Sequence, residues 1–187
     1  MYKKKLPNIL TISRIVIIPI IIILSYFDKT TTINKITALL FTIACITDFF
    51  DGYLARTWKV QSSLGRFLDP IADKLLVGSV ILMLVHFDKI DIFPALAIIC
   101  REILVSGLRE FLAELRVSVP VSNLSKVKTG FQMVAIFLLL LGSKASGFEY
   151  VDLLGKILSW IAAMLTIFTG YAYLKSALKY IAEQDNG

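Results

Sequence analysis

The stretch DFFDGYLARTWKVQSSLGRFLDPIADK, residues 48–74, closes one long apolar run and opens the next, and it carries aspartates at positions 48, 51, 69 and 73. The surrounding chain is strongly apolar. Of its 187 residues 57% are hydrophobic and only 18% are charged, and its mean hydropathy is +0.76. That is the composition of a membrane protein rather than of a soluble core. A bilayer crossing takes about 20 predominantly apolar residues, and stretches of roughly that length recur at Leu6–Phe27, Ile33–Leu54, Asp69–Phe87, Ile92–Ala113, Lys126–Leu141 and Val151–Ala177. The expected fold is therefore all-α: a polytopic integral membrane protein of six transmembrane helices. The fifth is short and the sixth long enough to project beyond the bilayer, and residues 1–187 form a single membrane domain.

The N-terminus invites a second reading as a cleaved signal peptide, because Lys3, Lys4 and Lys5 precede an apolar run. No small-residue cleavage site follows, and Arg14 and Pro19 interrupt the run, so a retained helix is expected. Cys45 and Cys100 fall in expected helices without CxxC spacing. They read as packing residues, neither disulfide-bonded nor metal-bound.

Charge tests the topology, because cytoplasmic loops collect Lys and Arg. With both termini cytoplasmic, that side holds 15 of the 20 Lys and Arg residues and 9 of the 14 acids, so the formal net charge of +6 lies on one face and the other is neutral. A basic cytoplasmic face suits anionic lipid or a phosphorylated substrate, although an ordinary topology signal has the same form. Nucleic-acid binding is not indicated, since no basic run is interleaved with aromatic residues.

In this topology the four aspartates fall at the cytoplasmic ends of helices two and three. Asp48 and Asp51 are three residues apart, and Asp69 and Asp73 four apart, so each pair shares a helix face. The segment Arg56–Leu68 would let the two helices turn back and bring the pairs together. Pro70 suits a first helical turn, which puts Asp69 near a helix start. Four converging carboxylates repel one another and are costly to desolvate. Salt bridges to Arg56, Arg66 and Lys74 are one remedy. Divalent cations are the other: Mg²⁺ and Mn²⁺ take oxygen ligands and are commonly shared between carboxylates and substrate phosphates, and two such ions can clamp a phosphoryl group during in-line displacement.

The pattern Asp48-x2-Asp51-Gly52-x2-Ala55-Arg56-x8-Gly65-x3-Asp69-x3-Asp73 resembles the complete signature of the CDP-alcohol phosphotransferases. The resemblance implies a six-helix membrane enzyme, usually a homodimer, that displaces CMP from a CDP-linked donor with two divalent cations, Mg²⁺ or Mn²⁺. It further implies that Asp48, Asp51, Asp69 and Asp73 bind metal and that Asp73 is also the general base for the acceptor hydroxyl. Gly52, Ala55, Arg56 and Gly65 would line the CDP pocket. No Ser-His or Cys-His pair suggests a covalent intermediate, and His86, the sole histidine, is expected in an outer loop.

Three more stretches, Leu6–Arg14, Arg101–Glu110 and Ser125–Gln132, resemble bacterial members of that family whose donor is CDP-diacylglycerol and whose acceptor is glycerol 3-phosphate. The implied location is the bacterial cell (inner) membrane, with the active site on the cytoplasmic side. An acceptor phosphate needs cations, and Arg101, Arg109, Lys126 and Lys128 are the candidates. Arg109 comes first because arginine grips phosphate with a two-point fork, and Glu102 lies on nearly the same helix face to hold it. Basic residues at helix ends can also be mere snorkelling anchors. Lys126 and Lys128, two apart, point in different directions, so only one should reach the site. Asn8, Thr11 and Arg14 are assigned to the donor side, and Arg14, two turns into helix one, demands a partner within the bundle. Trp58, Trp160, Tyr171, Tyr173 and Tyr180 read as interfacial aromatics.

Other acceptors remain within the family: phosphatidylglycerol, as in a cardiolipin synthase, or the alcohols of the inositol phosphate and serine enzymes. Outside it, intramembrane acids can mark the ion path of a transporter. Such a path would spread acids through the membrane depth, whereas these four cluster at one side.

Overall fold

The structure, a computed structural model, describes residues 2–28, 30–58, 63–115 and 123–185, with the backbone alone described at 2–9, 49–58, 63, 64, 66, 67, 123 and 183–185. The described residues form six helices: α1 Tyr2–Phe27, α2 Thr31–Trp58, α3 Ser63–His86, α4 Ile92–Glu114, α5 Asn123–Ser146 and α6 Val151–Asp185. Three of them contain segments long and apolar enough to cross a membrane, at Leu10–Phe27, Leu124–Ser146 and Val151–Ala182. Helices α2, α3 and α4 have 28, 24 and 23 residues. At 1.5 Å per residue each exceeds the roughly 30 Å of a bilayer's hydrocarbon core, but each carries ionisable groups toward one end.

Helix α1 packs against both α2 and α3, α5 against α2 and α6, and α4 against α6 and, less extensively, α3. One core, which includes Ile21, Phe41, Leu76, Val80, Ile98, Leu139 and Ala162, draws residues from all six helices. A second cluster of Val105, Leu112, Tyr173 and Ala177 joins α4 to the far half of α6. Large apolar side chains such as Ile23, Leu39, Leu82, Ile103, Met164 and Phe168 point outward, as expected of helices whose solvent is lipid.

The described ends of α1, α3 and α5 turn back through short polar connections. Within α5, near its end, the helix breaks at Gly142, with φ 71° and ψ 162°, a combination open essentially to glycine. Beyond the break, the Ser143 N–H donates to Asp152 Oδ2 at 3.0 Å and the Asp152 N–H donates to Ser143 Oγ at 3.1 Å. Lys89, in the connection from α3 to α4, approaches the same corner, and burial pushes its ammonium pKa down while Asp152 opposes the shift. Asp91, before α4, leaves its helix uncapped and instead accepts from Trp160 Nε1 at 2.9 Å.

Several sequence expectations change. Helix α3 begins at Ser63, so Pro70 lies inside it and Asp69 is not near its start; the helix carries through the proline at the cost of one backbone hydrogen bond. Helix α5 starts earlier than expected, at Asn123, and its regular part ends before Gly142, where the expected helix ended. His86 ends α3 instead of lying in a loop, and Tyr173 is buried in the α4–α6 cluster instead of marking an interface. Cys45 is half-buried, but Cys100 is exposed on the outside of the bundle instead of packed within it; both are free.

Candidate active site

The sequence-derived site residues gather toward one end of the bundle: the first half of α1, the end of α2, the first half of α3, the middle and second half of α4 and the start of α5. Helix α1 organises the aspartates. Arg14, whose side chain is 0% exposed, places Nη1 2.5 Å from Asp48 Oδ1, which is the partner that its depth demanded. One turn earlier the buried Thr11 hydroxyl donates to Asp69 Oδ1. One face of α1 thus fixes one aspartate from α2 and one from α3. These two helices make no extensive contact with each other among the described residues, so α1 brings the pairs together, rather than the expected direct α2–α3 hairpin packing.

Asp48 repels both Asp69 and Asp73, and Glu102 adds to the repulsion on Asp73. Among the described residues no three potential ligands close around a common point. Asp51 lies on α2 three residues after Asp48, but its side chain, like those of Gly52, Ala55, Arg56 and Asn8, is outside the described set. Gly65 is buried near the start of α3. The oxygen-only donor set fits Mg²⁺ or Mn²⁺. The contacts from Arg14 and Thr11 engage Oδ1 of Asp48 and Oδ1 of Asp69.

A second network lies on α4 and α5. Lys128, with a side chain 1% exposed, donates to Glu102 Oε1, and Arg101 Nη1 lies 3.4 Å from the same oxygen. Glu102 therefore holds Lys128 and Arg101, and the expectation that it holds Arg109 is corrected. Lys128 approaches from a neighbouring helix and takes the carboxylate, while Arg109 is exposed. Lys126 is exposed and Lys128 turned inward, as their two-residue spacing requires. Lys74 donates to Ser106 Oγ and so pins α3 to α4.

These groups border two adjoining spaces. A pocket of about 270 Å³ is lined by Asp73, Lys74, Arg101, Glu102, Ser106 and Arg109, among others. A mainly apolar cleft of about 350 Å³ between α3, α4 and α5 also includes Asp73, Lys74 and Glu102 in its wall, and runs past Ile71, Leu75, Gly78, Leu82 and Ile103. Gln132 lines this cleft, and its Oε1 is buried without a partner among the described residues. The sequence reading missed the links that Glu102 makes to Lys128 and Ser106 to Lys74. An acid within the apolar helix α4 was the available signal for Glu102, since such a charge needs a partner. Ser106 gave no comparable signal, because a serine in a helix often bonds its own backbone.

Paired aspartates toward one end of two helices thus stand beside a cation-lined pocket in an α-helical bundle. The chain belongs to the CDP-alcohol phosphatidyltransferase family, which its sequence matches over residues 4–168. Among its relatives, a CDP-diacylglycerol–glycerol-3-phosphate 3-phosphatidyltransferase of Rickettsia felis is 57% identical over 95% of this chain and 97% of its own length. Proteins with the same name from Rickettsia typhi and Salmonella choleraesuis are 56% and 40% identical, each across at least 95% of this chain and 98% or more of their own.

Proposed function

We propose that this chain transfers the phosphatidyl group of CDP-diacylglycerol to a hydroxyl of sn-glycerol 3-phosphate, giving phosphatidylglycerophosphate and CMP. The carrying observation is the position of Asp73. Its carboxylate lies in the wall shared by a pocket bearing Lys74, Arg101 and Arg109 and a cleft of apolar side chains. A soluble anionic acceptor and a lipid donor need just such neighbouring environments.

Asp73 accepts the proton of the acceptor hydroxyl as its oxygen attacks the phosphatidyl phosphorus. The bond from that phosphorus to the bridging oxygen breaks, and CMP leaves with the oxygen. Two divalent cations, held by Asp48, Asp51, Asp69 and Asp73, would neutralise charge on the diphosphate. Arg14 and Thr11 orient Asp48 and Asp69, while Gly52, Ala55, Arg56, Gly65 and Asn8 border the CDP moiety. Arg109 and Arg101 take the acceptor phosphate, and Lys128, held by Glu102, adds positive charge behind them. Lys126, turned outward, faces the membrane surface.

The six helices all cross the bacterial cell (inner) membrane as one domain over residues 1–187, with both termini and the active site cytoplasmic, and the protein works as a homodimer. Acyl chains then stay in the bilayer while CMP and the acceptor exchange with water. The test is CMP release by the purified protein in detergent with CDP-diacylglycerol and Mg²⁺, with and without glycerol 3-phosphate and with an EDTA control. Release that needs both acceptor and metal is the expected result. Release that needs phosphatidylglycerol or another alcohol would overturn the acceptor assignment, and release unaffected by EDTA would overturn the metal assignment.

A further inference from the structure

Helix α6 supplies no residue to the site assembled above, yet it bears directly on one of the cations. A methyl group built on Gly170 would lie 2.9 Å from Arg101 Cγ and 3.8 Å from its Nε. Carbon atoms in contact are ordinarily about 3.5–4.0 Å apart. Cγ lies near the root of the side chain, so swinging the guanidinium does not relieve the clash; the first side-chain torsions must change. Arg101 is closely confined where it is. Its side chain is 14% exposed, its Nε is buried without a hydrogen-bond partner among the described residues, and Nη1 faces Glu102 at 3.4 Å. On its other side lies an almost wholly apolar cleft between α4 and α6, lined by Leu104, Leu108, Tyr171 and Leu174. A displaced guanidinium would have no ionic partner there.

We propose that Gly170 is a positioning residue for Arg101. With no side chain at 170, the stem of Arg101 lies against the α6 backbone and its guanidinium is held in the pocket with Asp73 and Arg109, where the acceptor phosphate binds. The inference rests on the reading of that pocket as the acceptor subsite. It gives α6 a part in acceptor recognition, from a position beyond the segment 4–168 that matches the family. Alanine favours a helix over glycine, so helix propensity alone would make Gly170→Ala harmless.

The experiment is steady-state kinetics at saturating metal on Gly170→Ala, Arg101→Ala and the double variant, with Gly170→Ser as a second variant that places the same carbon at the same point. Gly170→Ala and Gly170→Ser should raise the KM for glycerol 3-phosphate by about tenfold, as displacement of a positioned group does, and leave the KM for CDP-diacylglycerol within about twofold. In the double variant Cγ is gone, so the methyl finds room and the kinetics should match Arg101→Ala alone. Gly155→Ala controls for strain on the same helix, since its methyl would lie 2.8 Å from Leu139 Cγ and Cδ2; it should leave the ratio of the two KM values unchanged. If Arg101→Ala leaves the glycerol 3-phosphate KM unchanged, the acceptor reading of the pocket fails. If Arg101→Ala raises it but neither Gly170 variant does, or the effects add in the double variant, that reading stands and the positioning role is overturned.

Discussion

Replacing Thr11 with valine removes one hydroxyl and keeps the side-chain shape. That hydroxyl is buried and donates to Asp69 Oδ1, one turn from the Arg14 that pairs with Asp48. A hydrogen bond to a charged group contributes about 1.5–3 kcal/mol. Independently, losing the partner that orients a metal-bound carboxylate weakens metal binding by about 10–100-fold, equivalent to about 1.4–2.8 kcal/mol. The two ranges coincide, so the whole effect should appear as metal affinity. With both substrates saturating, the Mg²⁺ concentration for half-maximal CMP release should rise about 10–100-fold in Thr11→Val, while kcat at excess Mg²⁺ stays close to that of the parent. Thr11→Ser should restore the original requirement. A folded Thr11→Val protein with an unchanged metal requirement would refute the reasoning, and so would a loss of kcat that excess metal does not repair.

Asp73→Asn should lower kcat by about 10²–10⁴-fold, the usual worth of a positioned base, with donor binding retained in a CDP-diacylglycerol titration; parent-like turnover would remove Asp73 from that role. Glu102→Ala strands the nearly inaccessible Lys128 ammonium. It should cost about 2–4 kcal/mol, somewhat below a fully buried pair because Glu102 is 27% exposed, and a thermal melt in detergent that does not shift would contradict this. Gly142→Ala forces a Cβ into a glycine-only conformation 3.4 Å from Asp152 Oδ1 and should cost about 1–3 kcal/mol, read as a lower melting temperature with KM values unchanged at low temperature.

The aspartate pairs could be read from the sequence because their spacing of three and four residues is a local property of helices, independent of how helices pack. Depth along a helix also has a local warrant, and it led to the need for a partner at Arg14, though not to Asp48 as that partner. Contacts between helices lacked such a warrant. Glu102 and Lys128 are 26 positions apart, and whether they meet depends on the rotation of α4 and α5 about their axes, which apolar residues on every face leave open. Pro70 misled because a proline suits a first helical turn but can also lie within a helix at the loss of one hydrogen bond, and α3 continues through it from Ser63. Gly170 gave even less to read: a lone glycine in an apolar helix has many meanings until the stem of Arg101 is seen lying on it.

The way α1 grips aspartates from both α2 and α3 divides the enzyme along its chain. The first three helices hold the four aspartates, and Thr11 and Arg14 link Asp48 and Asp69 within that half. The Glu102 network, Arg109 and Gly170 belong to the last three. On the site map proposed above, a chimaera joined in the connection at residues 87–91 should take its alcohol specificity from the half that carries Arg101 and Arg109, and one that kept the specificity of the first half would refute that division.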